Sequence, residues 1–508
     1  MLFSSLVFLF LFLPLCLIIY HALPKKNLVY RNTFLLVVSL IFYAWGGTWY
    51  FLLMISVITV NYFGALWISK DCKTKAVKAL CAAETAYAAM ADCACNKTET
   101  ENQLKSKKYK LVLILIANLG ILFYFKYFNF FIDIISLITL RNINIFKVIL
   151  PIGISFYLFQ AMSYVIDVYN EKVDVQKNYF KLALYISLFP ALIAGPIIKY
   201  ADLEQQIKNR EHTSHDFYHG IKRFIYGLVK KVLIANTLGE SADSIFSNHP
   251  STFGMSAAWI GIILYALQIY YDFSGYSCMA IGLSKMFGFK IKENFNHPYI
   301  STSITEFWKR WHISLTSWFR EYVYYPLGGN RKGAFRTYIN IIIIFLVSGL
   351  WHGANYTFVV WGAFYAFFIV IERITIKQTA NKKPNFFNWL YTIIIVLIAW
   401  VFFRSPDIGY ALQYIKAMFG YYGSGQSPAF YLTMNSILIL PFAILFCGFI
   451  QNWAAKFFAL KIFKKVKNIQ WVNYLLFYME AIFLFLLYGI VLLMLANKTY
   501  NPFIYFQF

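Results

Sequence analysis

Charge is scarce in this chain, and negative charge scarcest of all. Only 13% of its residues are Asp, Glu, Lys or Arg, against 60% hydrophobic and 20% aromatic. Soluble domains carry about a quarter charged residues, so a water-facing surface around a chain of this length is excluded. The 22 acidic residues stand against 46 basic ones, a formal net charge of +24. The excess does not indicate nucleic acid, because Lys and Arg fall in short clusters between apolar runs. That distribution orients a polytopic protein in its membrane. The expected partner is a lipid bilayer, and the basic clusters can also attract anionic headgroups or a phosphate-bearing substrate.

Cysteine supplies no scaffold either. Seven is an odd number without framework spacing, which argues against a disulfide-stapled fold. Cys93 and Cys95 form a lone C-x-C near Cys72 and Cys81, with no histidine at hand to complete a zinc set. They read as reduced cytoplasmic thiols, and no metal is expected. The chain has no G-x-S-x-G elbow, no Walker loop and no H-E-x-x-H, which disfavours a serine hydrolase, an ATPase pump and a zincin. Internal duplication is missing as well, which weakens an inverted-repeat transporter.

What the chain does have is apolar runs, from Phe3–Tyr20 to Leu475–Ala496. Several are shorter than the ~17 residues a spanning helix needs, which implies tilted, broken or re-entrant pieces buried in protein. The expected fold is all-α: one polytopic membrane domain over 1–508, with about 11 to 13 spans plus re-entrant segments. The exception is a polar insertion at 70–108, whose lysines place it on the cytoplasmic side and whose Ala-rich middle suits a surface helix.

The most informative stretch runs from Glu306 to Asn355. Phe307, Trp308, Trp311, Leu315, Trp318, Phe319 and Tyr322 recur near helical spacing among Lys309, Arg310 and Arg320. They predict an interfacial amphipathic helix carrying His312. Beyond the basic cluster Arg331, Lys332 and Arg336, an almost wholly apolar run ends on Trp351 and His352. About 15 helical residues cover roughly 22 Å, which puts His352 past the midplane of a ~30 Å hydrocarbon core. An ionisable group that deep is a functional candidate, with a backbone-satisfying role where two helices cross as the alternative. Asp272, in YYDFSGYS, could cap a re-entrant helix, fix a histidine tautomer or bond backbone amides. His212, His215 and His219 would share one helical face, read as solvated rather than metal-bearing.

Taken in order, LPIGISFYLFQ, FPALIAGPI, YYDFSGYSCMAIGLSKMFGF, FWKRWHISLTSWFREYVYYPLGGNRKG, SGLWHGANYTFVVWG and the closing PFIYFQF resemble the membrane-bound O-acyltransferase family. Within it they are most similar to the bacterial branch that acetylates alginate and peptidoglycan. The likeness covers a core of about 150–403 and the tail; Ala191 stands where the branch usually has Gln, and 70–108 has no counterpart. The resemblance implies a ring of tilted helices around a central tunnel, with His352 as the catalytic histidine and His312 as the second polar position. Read as chemistry, His352 would be the general base and His312, positioned through Asp272, would orient the thioester or stabilise the oxyanion, with Trp351 and Asn355 in support and Lys309, Arg310, Arg320, Arg331 and Lys332 placed to meet the phosphates of the donor. That donor would be cytoplasmic acetyl-CoA, with no bound cofactor. The acyl group would pass to an extracytoplasmic SGNH-type acetyltransferase or esterase-like partner that modifies a polysaccharide, at the bacterial cytoplasmic membrane. The competing reading is a transporter or flippase of an acylated or lipid-linked intermediate.

Overall fold

The computed structural model describes residues 1–25, 27–70, 89–140, 147–375, 385–450, 470–497 and 500–504. The expected Ala-rich helix and Cys72 and Cys81 fall largely within 71–88, outside the described residues, as do the last four residues of the closing motif. Among the described residues the fold is helical, with one isolated bridge between Phe253 and Gln426.

In chain order the helices that position the site are α1 (Leu13–Ala22), α2 (Leu28–Ala44), α3 (Thr48–Ser69), α4 (Ala89–Leu122), α5 (Phe128–Thr139), α6 (Ile154–Tyr169), α7 (Ser214–Val229), α8 (Met255–Met286), α9 (Ile304–Arg310), α10 (Ile313–Phe319), α11 (Ala334–His352), α12 (Tyr356–Thr375), α13 (Phe386–Arg404), α14 (Met434–Ile444) and α15 (Gln470–Asn497). Six helical stretches among the described residues are long and apolar enough to cross a membrane: Thr48–Ser69, Asn102–Thr139, Ala334–His352, Tyr356–Thr375, Phe386–Arg404 and Trp471–Asn497. Shorter apolar helices lie at Phe8–Ala22, Leu28–Ala44 and Met434–Phe449. The protein is a multi-pass membrane protein.

Inside this frame sit helices too polar to face lipid. α6 is buried along nearly its whole length, Gln160, Ser163 and Asp167 included. The run Leu182–Ile198 is not one span. It forms the short helices Tyr179–Ser187 and Phe189–Leu192, followed by irregular backbone. Pro190 and Pro196 cannot donate to a helical ladder, and the break is tolerated because Phe189 to Ile198 is buried in protein.

α8 is the hub. Gly275 and Gly282 on α8 face Gly227 and Gly220 on α7; a Cβ on Gly227 would lie 2.6 Å from the Gly275 carbonyl oxygen, and one on Gly282 would lie 2.7 Å from that of Gly220. Small residues let two backbones meet where lipid provides no hydrophobic drive between helices. The α11–α12 hairpin uses the same device, since Cβ atoms on Gly349 and Gly362 would fall 2.2 and 2.3 Å from the carbonyl oxygens of Phe358 and Phe345. α3 and α4 are clasped differently, by reciprocal amide bonds of 2.8 and 3.1 Å between buried Asn61 and Asn118.

Candidate active site

His312 does not ride on a continuous amphipathic helix. The chain breaks between α9 and α10, and His312 takes a left-handed backbone with φ 44° at the start of α10. The break is held by the segment beneath it, because Ile313 N donates to Asn294 O at 2.9 Å and Asn296 N donates to Arg310 O at 2.9 Å. Trp308, Trp311, Trp318 and His312 are thereby turned inward and buried. The amphipathic pattern was real, but it faces a protein interior, not a membrane surface.

Asn294, fully buried, fixes the imidazole. Its Oδ1 accepts from Ser314 N at 3.1 Å and from Ser314 Oγ at 2.9 Å, and meets His312 Nδ1 at 3.2 Å. A backbone N–H can only donate, so the Asn294 atom at this junction is oxygen, and the His312 proton sits on Nδ1. Nε2 is left as a bare acceptor, buried and without a partner among the described residues. Asn294 is held in turn by Ser277 on α8, 3.1 Å from its Nδ2.

His352 closes α11, whose 19 residues rise about 28 Å from the basic cluster. Its ring packs on Trp351, Trp361 and Phe403 with centroids 4.9, 5.1 and 5.1 Å away. Trp351 links the two histidines, with His312 at 6.1 Å, and Phe156 lies 5.5 Å from Trp351 and 6.3 Å from His312. A cavity of about 40 Å³ touches His352, Trp351, Phe156, Ser155 and Lys126.

Lys126 was missed in the sequence, though a lone lysine in an apolar stretch is the signal that could have found it. It sits on a π-helical turn, Phe123–Tyr127, between α4 and α5. It donates to the carbonyl oxygens of Trp351 and His352, and Tyr127 Oη donates to Leu350 O at 2.8 Å. The last carbonyls of α11, which have no partner within the helix, are capped by the Lys126 amine and the Tyr127 hydroxyl.

A family profile described as MBOAT, membrane-bound O-acyltransferase family, matches residues 72–407. The chain belongs to this family. It is 38% identical to the probable alginate O-acetylase AlgI of Pseudomonas putida over the whole of both chains. It is 33% identical to the peptidoglycan O-acetyltransferase of Helicobacter pylori, over 83% of this chain and 80% of that one. A more distant similarity, 28% over 49% of this chain and 65% of the relative, joins it to the teichoic acid D-alanyltransferase of Bacillus subtilis. The protein is a membrane-bound O-acyltransferase.

Two supporting residues of this acyltransferase are placed away from the histidines. Asp272 does not orient His312. It pairs with Lys231 at 2.8 Å, both side chains 2% exposed, and accepts from Ile504 N at 2.9 Å. Lys231 also donates to Pro502 O, so this buried ion pair anchors the closing segment of the chain. Asn355 caps α12 through Thr357 N at 3.1 Å and donates to Pro406 O at 2.9 Å; it fastens the turn of the hairpin. Trp351 alone of the three lies between the imidazoles.

Of the five cations expected to meet the donor, only Arg320 lines a cavity next to His312. That cavity, about 410 Å³, also touches Ser314, Ser317, Glu321, Lys199 and Lys292. Arg310 is engaged by Glu306 at 2.9 Å and by Asn296 O at 3.1 Å, while Lys309, Arg331 and Lys332 are exposed elsewhere. Lys199 and Lys292 went unnoticed because they are far apart in sequence and each is paired, with Glu321 at 2.5 Å and Asp202 at 2.6 Å. The two cavities share no lining residue; Ser314 edges the larger, Trp351 and His352 the smaller. His212 also leaves its expected face and meets Tyr20 Oη at 2.8 Å, whereas His215 and His219 touch each other at 3.0 Å.

Proposed function

We propose that this acyltransferase takes an acetyl group from cytoplasmic acetyl-CoA and passes it across the bacterial cytoplasmic membrane for O-acetylation of an extracytoplasmic polysaccharide, alginate-like or peptidoglycan. The supporting observation is the pair of buried histidines joined through Trp351, with one cavity against His352 and another lined by Ile313 and Ser314, the two residues that follow His312. The names of the alginate and peptidoglycan relatives support the acetyl group and the polymer. The final acceptor would be reached through an SGNH-type or esterase-like partner outside the membrane. The core 150–403 would carry the chemistry, and 70–108 would be a cytoplasmic appendage to the single domain.

In the proposed reaction the thioester enters by the Arg320 cavity and the acceptor hydroxyl by the His352 cavity. His352 takes the hydroxyl proton as the oxygen attacks the acetyl carbonyl. The C–S bond then breaks and the proton passes to the leaving thiolate. The Nδ1–H tautomer leaves His312 Nε2 accepting, so a neutral His312 is a positioning base and not an oxyanion donor. The indole N–H of Trp351, buried without an acceptor among the described residues, is the better candidate to steady the developing oxyanion.

Purified protein supplied with radiolabelled acetyl-CoA and a hydroxyl acceptor should consume the thioester. His352→Ala should lower the rate by about 10²–10⁴ while accumulating normally in the membrane. Full turnover by that variant, or movement of an acylated substrate without thioester cleavage, would overturn the proposal.

A further inference from the structure

Away from the histidines, a lateral cleft of about 1040 Å³ runs along α7. From Asp216 to Ile234, both on its wall, the helical rise is roughly 25 Å, comparable to a lipid headgroup with its acyl chains. One end is charged and carries more cations than acids, edged by Lys222, Arg223, Lys285 and Lys290 with Asp216 and Glu293; the other is apolar, edged by Ile234, Tyr271, Phe446, Phe483 and Leu487.

The charges do not cancel. Lys222 pairs with Glu480, Arg223 with Glu293, and Lys285 with Asp216 at 3.3 Å. Lys230 and Lys290 form no ion pair among the described residues, and the Lys230 amine instead rests 3.6 Å from Cys278 Sγ, inside the cleft. Beyond these cations, Phe446 and Phe483 remain 45% and 54% exposed. A small soluble anion would neutralise the lysines and leave that apolar wall bare. An amphiphile satisfies both ends.

We propose that the cleft holds an anionic glycerophospholipid of the cytoplasmic leaflet, with its phosphate among Lys222, Lys230 and Lys290 and its acyl chains along Phe446, Phe483 and Leu487. The basic end lies where α7 begins and α8 finishes, the side on which the chain's positive clusters fall, so headgroup and tails take the orientation of the surrounding leaflet. The cleft shares Lys290, Ile291 and Glu293 with the Arg320 cavity, whereas Lys222, Lys230 and the apolar wall line the cleft alone, so substitutions at Lys222 and Lys230 leave the proposed donor path in place.

The test uses the full chain in phosphatidylcholine nanodiscs with and without phosphatidylglycerol, with retained lipid identified by native mass spectrometry. The wild type should enrich phosphatidylglycerol over phosphatidylcholine. Lys230→Gln should lower that enrichment by about fivefold, the weight of one interfacial cation. Lys222→Gln/Lys230→Gln should abolish it, because Glu480 is then left facing the phosphate. Thermal stability in pure phosphatidylcholine identifies a variant that has failed to fold. A second readout needs no variant: phosphatidylglycerol should slow maleimide labelling of Cys278, scored by peptide mapping. Equal retention of the two lipids, unchanged labelling, or displacement of phosphatidylglycerol by inorganic phosphate or by acetyl-CoA would overturn the proposal.

Discussion

Asn294 decides what His312 can do. Its oxygen is committed to Ser314 N, and so it holds the imidazole proton on Nδ1. Asn294→Ala removes that acceptor while leaving both cavities open, and kcat should fall about 10²-fold with little change in KM for the donor. Asn294→Asp, which still accepts at the same position, should recover part of the loss, and steady-state kinetics on the three proteins separates positioning from folding. Lys126 makes a comparable demand on His352. Lys126→Met would strip the cap from the Trp351 and His352 carbonyls, and a fall in kcat of about tenfold or more is expected, since a misplaced reacting group is costly. His352 and His312 were legible in the sequence because a histidine in apolar surroundings stands out. Asn294 was not, because its meaning lies in a contact 18 residues away that no local periodicity encodes; Lys126 stood out as a lone lysine in an apolar stretch, but its partners, more than 220 residues away, did not.

At the scale of elements, glycine sets the geometry that the histidines inherit. Gly349 lies one turn before His352, and an added methyl would press on the Phe358 backbone at 2.2 Å. Gly349→Ala should therefore push α11 from α12, at a stability cost of about 1–3 kcal/mol, and lower activity more than a distant substitution of equal cost; thermal unfolding in detergent beside an activity assay tests both. Helix existence was readable from the apolar runs, but continuity was not. The Leu182–Ile198 run hides a break, and the Trp-rich stretch that reads as one surface helix is two buried ones, because Asn294 and Asn296 capture the backbone between them. The C-terminal end of α1 offers a pH test. His212, against Tyr20, is held down to about 4 by burial, with repulsion from Arg31, Arg210 and His21 adding to it. A histidine kept neutral in the fold but titrating near 6.5 when unfolded stabilises the protein above that value. The contribution is lost as pH falls from about 6.5 towards 4. The melting temperature should therefore drop across that window, and His212→Gln should flatten the drop.

At the scale of the whole molecule, the decisive property is sidedness. The Arg320 cavity lies among Lys199, Lys292 and Arg320, and in the proposed reaction it opens to the cytoplasm. His352 lies about 28 Å of helix away from the basic start of α11, with its own separate cavity. Between them stand Phe156, His312 and Trp351, so in this conformation an acyl group would have to pass a wall of three rings. An enzyme with one-sided access would turn over equally in either vesicle orientation once both substrates were on that side. Two-sided access predicts otherwise. In inverted membrane vesicles external acetyl-CoA should be consumed, and in right-side-out vesicles it should not be until the membrane is permeabilised. Arg320→Gln should raise KM for acetyl-CoA by about fivefold, the scale of one exposed charge-assisted contact, without altering which vesicles are active. Equal consumption by both intact preparations would show that the donor reaches the site from either face, and the proposed one-way transfer across the membrane would fall with it.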